Sequence, residues 1–324
     1  MRLSSLGHRP AVPALAGAMA IAFSGILFRL ADVSPETGAF YRCFWALPPL
    51  YLLARWEDGR LGPRAVRGRL FAYVAGVLFA IDLVFWHHAI EAVGAGLATV
   101  LGNTQVVLVA LLAWVLLGER PSNRSLASIP IVVVGVVLIS GVVGANAYGS
   151  DPKLGVVLGL LTAVSYTAFL LTIREGNADR RRPAGPLFDA TLAATAGVAL
   201  WGLPTGRLDL TPGAAAQGWL IVLALSSQVL GWLLISISLP RLPAVATSIL
   251  LTLQPVASVF LAALLIDESP SPVQLLGAAA ILSGLVLASA GRRRRPQPAA
   301  SAPVPAYEAA SAARSGTSSS IGIQ

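Results

Sequence analysis

Charge is what this sequence has least of. Only 12% of its 324 residues are Asp, Glu, Lys or Arg, against about 25% in soluble globular chains. A water-facing surface for a chain of this length cannot be built from so few ionisable groups. That shortage argues together against soluble enzymes, disordered proteins and nucleic-acid binders. Cysteine is nearly absent: Cys43 stands alone in an apolar stretch, which leaves no disulfide framework and no cysteine-based metal site. Lys153 is the only lysine. No Gly-rich phosphate loop, His-rich cluster or pair of catalytic carboxylates occurs, so no cofactor or metal is expected. The chain's excess is in apolar residues, at 56%, with a mean hydropathy of +0.74. The composition points to an all-α polytopic membrane protein.

A helix needs roughly 20 apolar residues to cross the hydrocarbon core. Ten segments approach this: 11–30, 37–55, 70–90, 94–117, 126–143, 154–173, 187–203, 217–239, 244–266 and 273–290. The seventh is the weakest: Asp189 and Gly197 lie within it and Pro204 follows it, so its ends are uncertain. The N-terminal run after Arg2 and Arg9 resembles a secretory signal, but it exceeds the usual length and lacks a convincing small-residue cleavage site. It is read as a retained first span, with residues 1–10 a cytoplasmic N-terminus. Basic residues orient the spans. With that end inside, eighteen Arg fall on cytoplasmic segments, including Arg64, Arg69, Arg182 and the run Arg292–Arg295, while only Arg29, Lys153 and Arg207 fall outside. Both termini then lie in the cytoplasm of a bacterial-type cell membrane. Residues 291–324 are rich in Ala, Ser and Pro and cannot bury enough apolar surface to fold, so they form a disordered cytoplasmic tail. The formal net charge of +8 arises from this tail and from the inward bias. It is not a surface for a polyanion, and no nucleic-acid partner is expected.

The chain repeats itself. Shifted by 149 residues, 94–141 lies on 243–290 without a gap, with 15 identities in 48 positions. Apolar matches come easily by chance. Gln105 with Gln254, Glu119 with Glu268, Pro121 with Pro270, Ser122 with Ser271 and Gly135 with Gly284 do not. The units are therefore a first repeat at 11–143 and a second at 154–290, each of five spans. Five is odd, so the second copy enters the membrane inverted. Inverted repeats are characteristic of transporters, since two similar halves have two nearly equivalent packings that open one central site to either side.

The residues that carry a family resemblance are Arg42 early in the second span, Leu117-Gly118-Glu119-Arg120 closing the fourth, and the stretch from Leu242-Pro243-Ala244 through Gln254-Pro255 to Glu268, Gln274, Gly277 and Gly284. On these the chain resembles an EamA-type member of the drug/metabolite transporter superfamily over about residues 11–290. The resemblance implies ten spans, cytoplasmic termini and export or exchange of small metabolites such as amino acids and drugs. The chain departs from the pattern where Pro255 meets Val106 in the first repeat, and where Leu-Gly-Glu becomes Ile-Asp-Glu in the second.

Ionisable groups inside spans cost roughly 2.5–3.5 kcal/mol each on insertion scales and mark candidate sites. Arg42 in span two and Asp82 in span three fall at depths that differ by only about 5 Å, and are expected to pair. That pair either forms a charged site for a carboxylate, an ammonium or a proton, or locks the two spans structurally. His88, like its neighbour His87, suits proton exchange or an interfacial belt beside Trp86. Asn103 and Gln105 in span four, Tyr166 in span six, Gln228 and Trp232 in span eight and Gln254 in span nine either line a cavity or hold helices together. Glu119 and Glu268 end their helices against the dipole and are expected to accept bonds from neighbouring loops or Arg120, as gate or structural residues. Pro255 frees a backbone carbonyl and suits a bending point.

The reading is a non-enzymatic carrier in the lipid bilayer. It would move small molecules by alternating access, with export driven by proton antiport or by exchange. An intramembrane lipid-modifying enzyme, with Asp82 and His87 or His88 as acid and base, and a passive channel remain open alternatives.

Overall fold

The computed structural model describes residues 11–117, 121–143, 146–176, 179, 181–238 and 244–290. Glu119, residues 1–10 and residues 291–324 lie outside the described residues. All regular elements among those described are helical. Helices α1 (Ala11–Ala22) and α2 (Ser24–Ala31) form one apolar stretch. They meet at Phe23, where the Ser24 hydroxyl donates to the Ile21 carbonyl at 2.6 Å. Helix α3 (Pro35–Phe44) starts at an N-cap: Ser34 Oγ accepts from Thr37 N, and Pro35 fills the first turn, where its missing N–H costs nothing. Its continuation, α4 (Leu47–Leu61), is offset at Trp45–Ala46 because Pro48 and Pro49 cannot donate into the preceding turn. There follow α5 (Val66–Val93), α6 (Ala95–Gly102), α7 (Gln105–Leu117) and α8 (Asn123–Ile139). The second half has α9 (Pro152–Gly176), α10 (Ala184–Gly202), α11 (Ala214–Leu223), a π-helical stretch π1 (Ala224–Gly231), α12 (Trp232–Ser238), α13 (Ala244–Leu265) and α14 (Pro272–Ala290).

Four continuous stretches are long and apolar enough to cross a membrane: Ala11–Ala31, Val66–Val93, Pro152–Glu175 and Ala214–Ser238. Several other expected spans are divided, at Trp45–Ala46 and at Asn103–Thr104, or are shorter apolar helices. Large apolar side chains such as Val133, Val134, Phe260, Leu264 and Leu276 are exposed, while Arg42, Asp82, Asp189 and Gln228 are buried. This apolar outside and polar inside reverses the arrangement a water-soluble bundle needs.

The duplication is visible in the helices. Those starting at Pro35, Val66, Ala95 and Asn123 have counterparts starting at Ala184, Ala214, Ala244 and Pro272, offset by 148 or 149 residues. Contacts obey the same exchange. α5 packs on α9 as π1 and α12 pack on α1, while α3 and α4 pack on α10, α6 on α13 and α8 on α14. The α8–α14 contact shows the symmetry in detail. A Cβ on Gly135 would come within 2.6 Å of the Gly277 carbonyl, one on Gly277 within 2.7 Å of the Gly135 carbonyl, and one on Gly284 within 3.3 Å of the Ser128 carbonyl. Gly284 is the repeat partner of Gly135, and Gly277 that of Ser128. Ser125 meets Ala288 at the far end, so the two equivalent helices run antiparallel. α8 and α14 thus present equivalent surfaces to each other, as in an isologous interface, about an axis perpendicular to the helices.

Candidate substrate site and its two ionic clusters

Helices α3, α5, α9, α10 and π1 bring the buried polar residues together. Arg42 lies in the last turn of α3, where the carbonyl ends of the helix favour a cation. Its Nε donates to Gln228 Oε1 at 3.2 Å, and Gln228 Nε2 donates to Thr191 Oγ1 at 3.2 Å. The guanidinium carbon sits 5.5 Å from the Trp86 ring centroid, in cation–π range. The π-helical turn positions Gln228. Gln228 and Trp232, four residues apart, lie on nearly one side of the helix, and π-turns recur at functional sites. Phe79, Tyr166, Phe169 and Trp232 form an aromatic wall with ring centroids 4.8–6.1 Å apart.

Asp82 is 5% exposed and lies within the electrostatic reach of Arg42 and Tyr166. No ion pair within 4.0 Å joins it to Arg42 among the described residues, and none of them hydrogen-bonds it. The expected Arg42–Asp82 pair is instead two neighbouring ionisable groups, with the arginine Nε on Gln228. Among the buried side-chain atoms without a hydrogen-bond partner among the described residues are Trp232 Nε1, Gln105 Oε1, Thr162 Oγ1 and His87 Nε2. Gly102 lies beside both Thr162 and Trp86, which places the start of α7, and with it Gln105, near the same region. Such unmet groups are costly unless a ligand or water serves them.

The halves differ where they would be equivalent. Gly17 of α1 and Gly231 of π1 touch through backbone, a Cβ on Gly17 falling 2.9 Å from the Gly231 carbonyl. Their repeat partners at an offset of 149 residues are Tyr166 and Asp82. One half is closed by glycine and the other carries a phenol and a carboxylate.

Other expected site residues fall elsewhere. Asn103 donates to the Thr99 carbonyl at 2.8 Å and caps the break between α6 and α7. Gln254 is half-buried on α13, which stays helical through Pro255. The interrupted helix is the one with Val106 rather than the one with proline. Glu268 does not oppose a dipole. Its carboxylate accepts from Ala95 N at 2.6 Å and Gly96 N at 3.1 Å, capping the N-terminus of α6, where a negative charge is favoured. Burial pushes this carboxyl up, against the two backbone donors and the charge of Arg29.

Two ionic clusters flank the centre along α5. At its N-terminal end, Asp189 of α10, fully buried, is gripped by Arg64 at 2.7 and 3.3 Å and by Arg69 at 3.4 Å. Glu57 caps α10 through Ala184 N and Gly185 N at 2.9 and 2.8 Å, and Arg182 bonds Asp58, Asp179 and the Leu61 and Gly62 carbonyls. A surface cavity of about 520 Å³ adjoins this cluster. At the C-terminal end, His88 reaches Glu36 of α3 at 3.2 Å and Glu91 at 3.7 Å, and Arg207 approaches Glu36 at 3.6 Å. A cavity of about 340 Å³ lies beside Glu91. Glu36, Glu57 and the Arg64–Asp189 pair are not evident from the sequence. The one signal it offers is Asp189 inside an apolar helix, with Arg64 and Arg69 expected at the same membrane face.

Among curated proteins no significant match is found. A solved structure, titled only as a crystal structure of protein, superimposes with a TM-score of 0.59 over 87% of this chain and 96% of its own, at 16% identity. At that identity the likeness is one of fold. The family model for the EamA-like transporter family matches residues 10–141 and again 153–290. With each half of the chain matched in turn, the protein belongs to the EamA-like transporter family.

Proposed function

We propose that this multi-pass membrane transporter is a secondary carrier with ten spans in two inverted halves, both termini cytoplasmic, in the cell membrane. It moves small zwitterionic metabolites, amino acids among them, by alternating access, and works as an exporter by proton antiport or exchange. The observation that carries the reading is the pair of buried, unlike charges at Arg42 and Asp82. Arg42 is held by Gln228 between repeat-equivalent helices, and Asp82 has no hydrogen bond to a described residue. Arg42 presents its remaining donors to a substrate carboxylate, in the bidentate geometry guanidinium favours. Asp82 receives either a substrate ammonium or a proton. Because one carboxylate cannot hold both, substrate release to one side and proton uptake from it are linked, which is the requirement for antiport. The aromatic wall and Trp232 Nε1 meet the rest of the molecule.

The test is transport into proteoliposomes of purified protein, screening radiolabelled amino acids. Accumulation driven by a pH gradient in wild type, with Asp82→Asn retaining exchange but losing accumulation, supports the reading. Flux that neither saturates nor shows trans-acceleration would indicate a channel, and covalent product without translocation would indicate an intramembrane enzyme.

A further inference from the structure

The two ionic clusters lie at opposite ends of α5, one against α10 and the other against α3, and are built of different chemistry. At the α5 N-terminal end the partners are Arg64 and Arg69 on Asp189. Guanidinium does not deprotonate in proteins, so the donors of this cluster do not depend on a titrating base. At the C-terminal end the central group is His88, whose ordinary range, about 6.5, straddles neutrality. Its Nε2 faces Glu36 and its Nδ1 faces Glu91. A neutral imidazole has one N–H and serves only one of these carboxylates, whereas the imidazolium serves both.

The remaining groups around His88 do not replace that second donor. Arg207, on the segment after α10, is 60% exposed and 3.6 Å from Glu36. Glu36 is fully buried and its Oε2 has no partner among the described residues. Arg29 of α2 lines the cavity beside Glu91. His87 turns away, its Nδ1 on the Leu83 carbonyl and its ring against Phe28 and Trp86. Near the start of α9, Ser150 bonds the Glu91 carbonyl and Asp151 caps the helix through Leu154 N. Loss of the His88 proton therefore leaves two carboxylates facing one exposed arginine and one neutral ring.

We infer that the Glu36–His88–Arg207 cluster is a proton-operated latch on the outer end of the path, paired with a proton-insensitive latch, Arg64–Asp189–Arg69, at the inner end. Acid on the outer face holds the outer end shut, and alkali releases it. The assignment of outer and inner rests on the alternating-access reading proposed for the central site.

The experiment measures distances by double electron–electron resonance in lipid nanodiscs, in a Cys43→Ser background. Nitroxides at Asp151→Cys and Thr211→Cys report the outer gap. Asp151 is tied to the end of α5 through the Ala92 carbonyl, and Leu210, next to Thr211, is tied to α3 through Tyr41. Nitroxides at Ala65→Cys and Arg181→Cys report the inner gap. Between pH 6 and 8.5 the ratio of long to short outer distances is expected to rise by about tenfold, the scale of one charge-assisted hydrogen bond. His88→Gln is expected to give the long component at every pH. Asp189→Asn is expected to lengthen the inner pair without pH dependence. An outer gap that opens with pH equally in His88→Gln overturns the latch but leaves alternating access standing. Gaps that stay fixed in wild type and in every variant at all pH values overturn the alternating-access reading itself.

Discussion

Arg42 and Thr191 stand 149 residues apart and are joined through one side chain, with Gln228 accepting from the first and donating to the second. They occupy the same position in the two halves, counted from the starts of α3 and α10. The amide of Gln228 therefore lies between repeat-related helices, where movement of either half is felt directly.

If Gln228 holds the arginine in place, its loss should be read in binding. Hydrogen bonds to charged groups contribute about 1.5–3 kcal/mol. Gln228→Leu, similar in size, is expected to weaken substrate binding by about tenfold to a hundredfold, measured by calorimetry on detergent-solubilised protein. Arg42→Lys keeps the charge but loses the fork and the stacking on Trp86, and is expected to weaken binding comparably. Unchanged affinity in both would remove Arg42 from the site.

Trp232 Nε1 is buried without a partner among the described residues, although its ring is packed on Phe79, Tyr166 and Phe169. Trp232→Phe keeps an aromatic ring against these neighbours and deletes the donor, together with part of the packed surface. The expected loss in binding is one neutral hydrogen bond, about 0.5–1.5 kcal/mol, seen as a modest rise in KM for exchange, separate from the loss of thermal stability that the smaller ring brings. A variant that melts below wild type with KM unchanged would assign the indole to packing alone.

Two glycine substitutions should have opposite signs. Gly135 has no room for a methyl group against Gly277, whereas Gly218 in α11 has nothing within 4 Å. Gly135→Ala is expected to destabilise by about 1–3 kcal/mol through overpacking, and Gly218→Ala to stabilise by about 0.5–1 kcal/mol through reduced chain entropy. Thermal unfolding in detergent distinguishes them.

Glu268 links stability to pH. Its carboxyl is raised by burial in the folded protein, so the folded state binds the proton more readily than the unfolded state does. Wild type should therefore gain stability relative to Glu268→Gln as pH falls from 7 toward the ordinary glutamate range, and lose it as pH rises. Glu268→Ala, which removes the cap on α6, is expected to cost about 0.5–2 kcal/mol. Melting curves of the three proteins across pH 4.5–8 check both statements.

The all-helical fold and its duplication are legible in the sequence because both rest on local properties. Apolar run length marks the helices, and Gln105/Gln254 and Glu119/Glu268 mark the repeat. The neighbourhood of Arg42 and Asp82 is legible in part, since helical rise sets depth. Their partners are not. Which side of α3 faces π1 depends on the offset at Trp45–Ala46 and on a π-turn, and neither has a signature in hydropathy. Glu268 misleads because its own helix end is near in sequence, whereas the helix it caps is more than 160 residues away. Glu36 and Asp189 are hidden for the same reason: a buried charge is explained only by a partner distant in sequence.

The π-helical stretch has a counterpart in the arithmetic of the repeat. The chain from the start of α11 to the start of α13 is one residue longer than from the start of α5 to the start of α6. A π-turn holds one residue more than an α-turn, so a single insertion into one copy of an ancestral helix would be absorbed there without shifting the later residues. Such an insertion rotates the residues just before it relative to those just after it. The amide that joins Arg42 to Thr191 thus sits in the one stretch where the second half is a residue longer than the first.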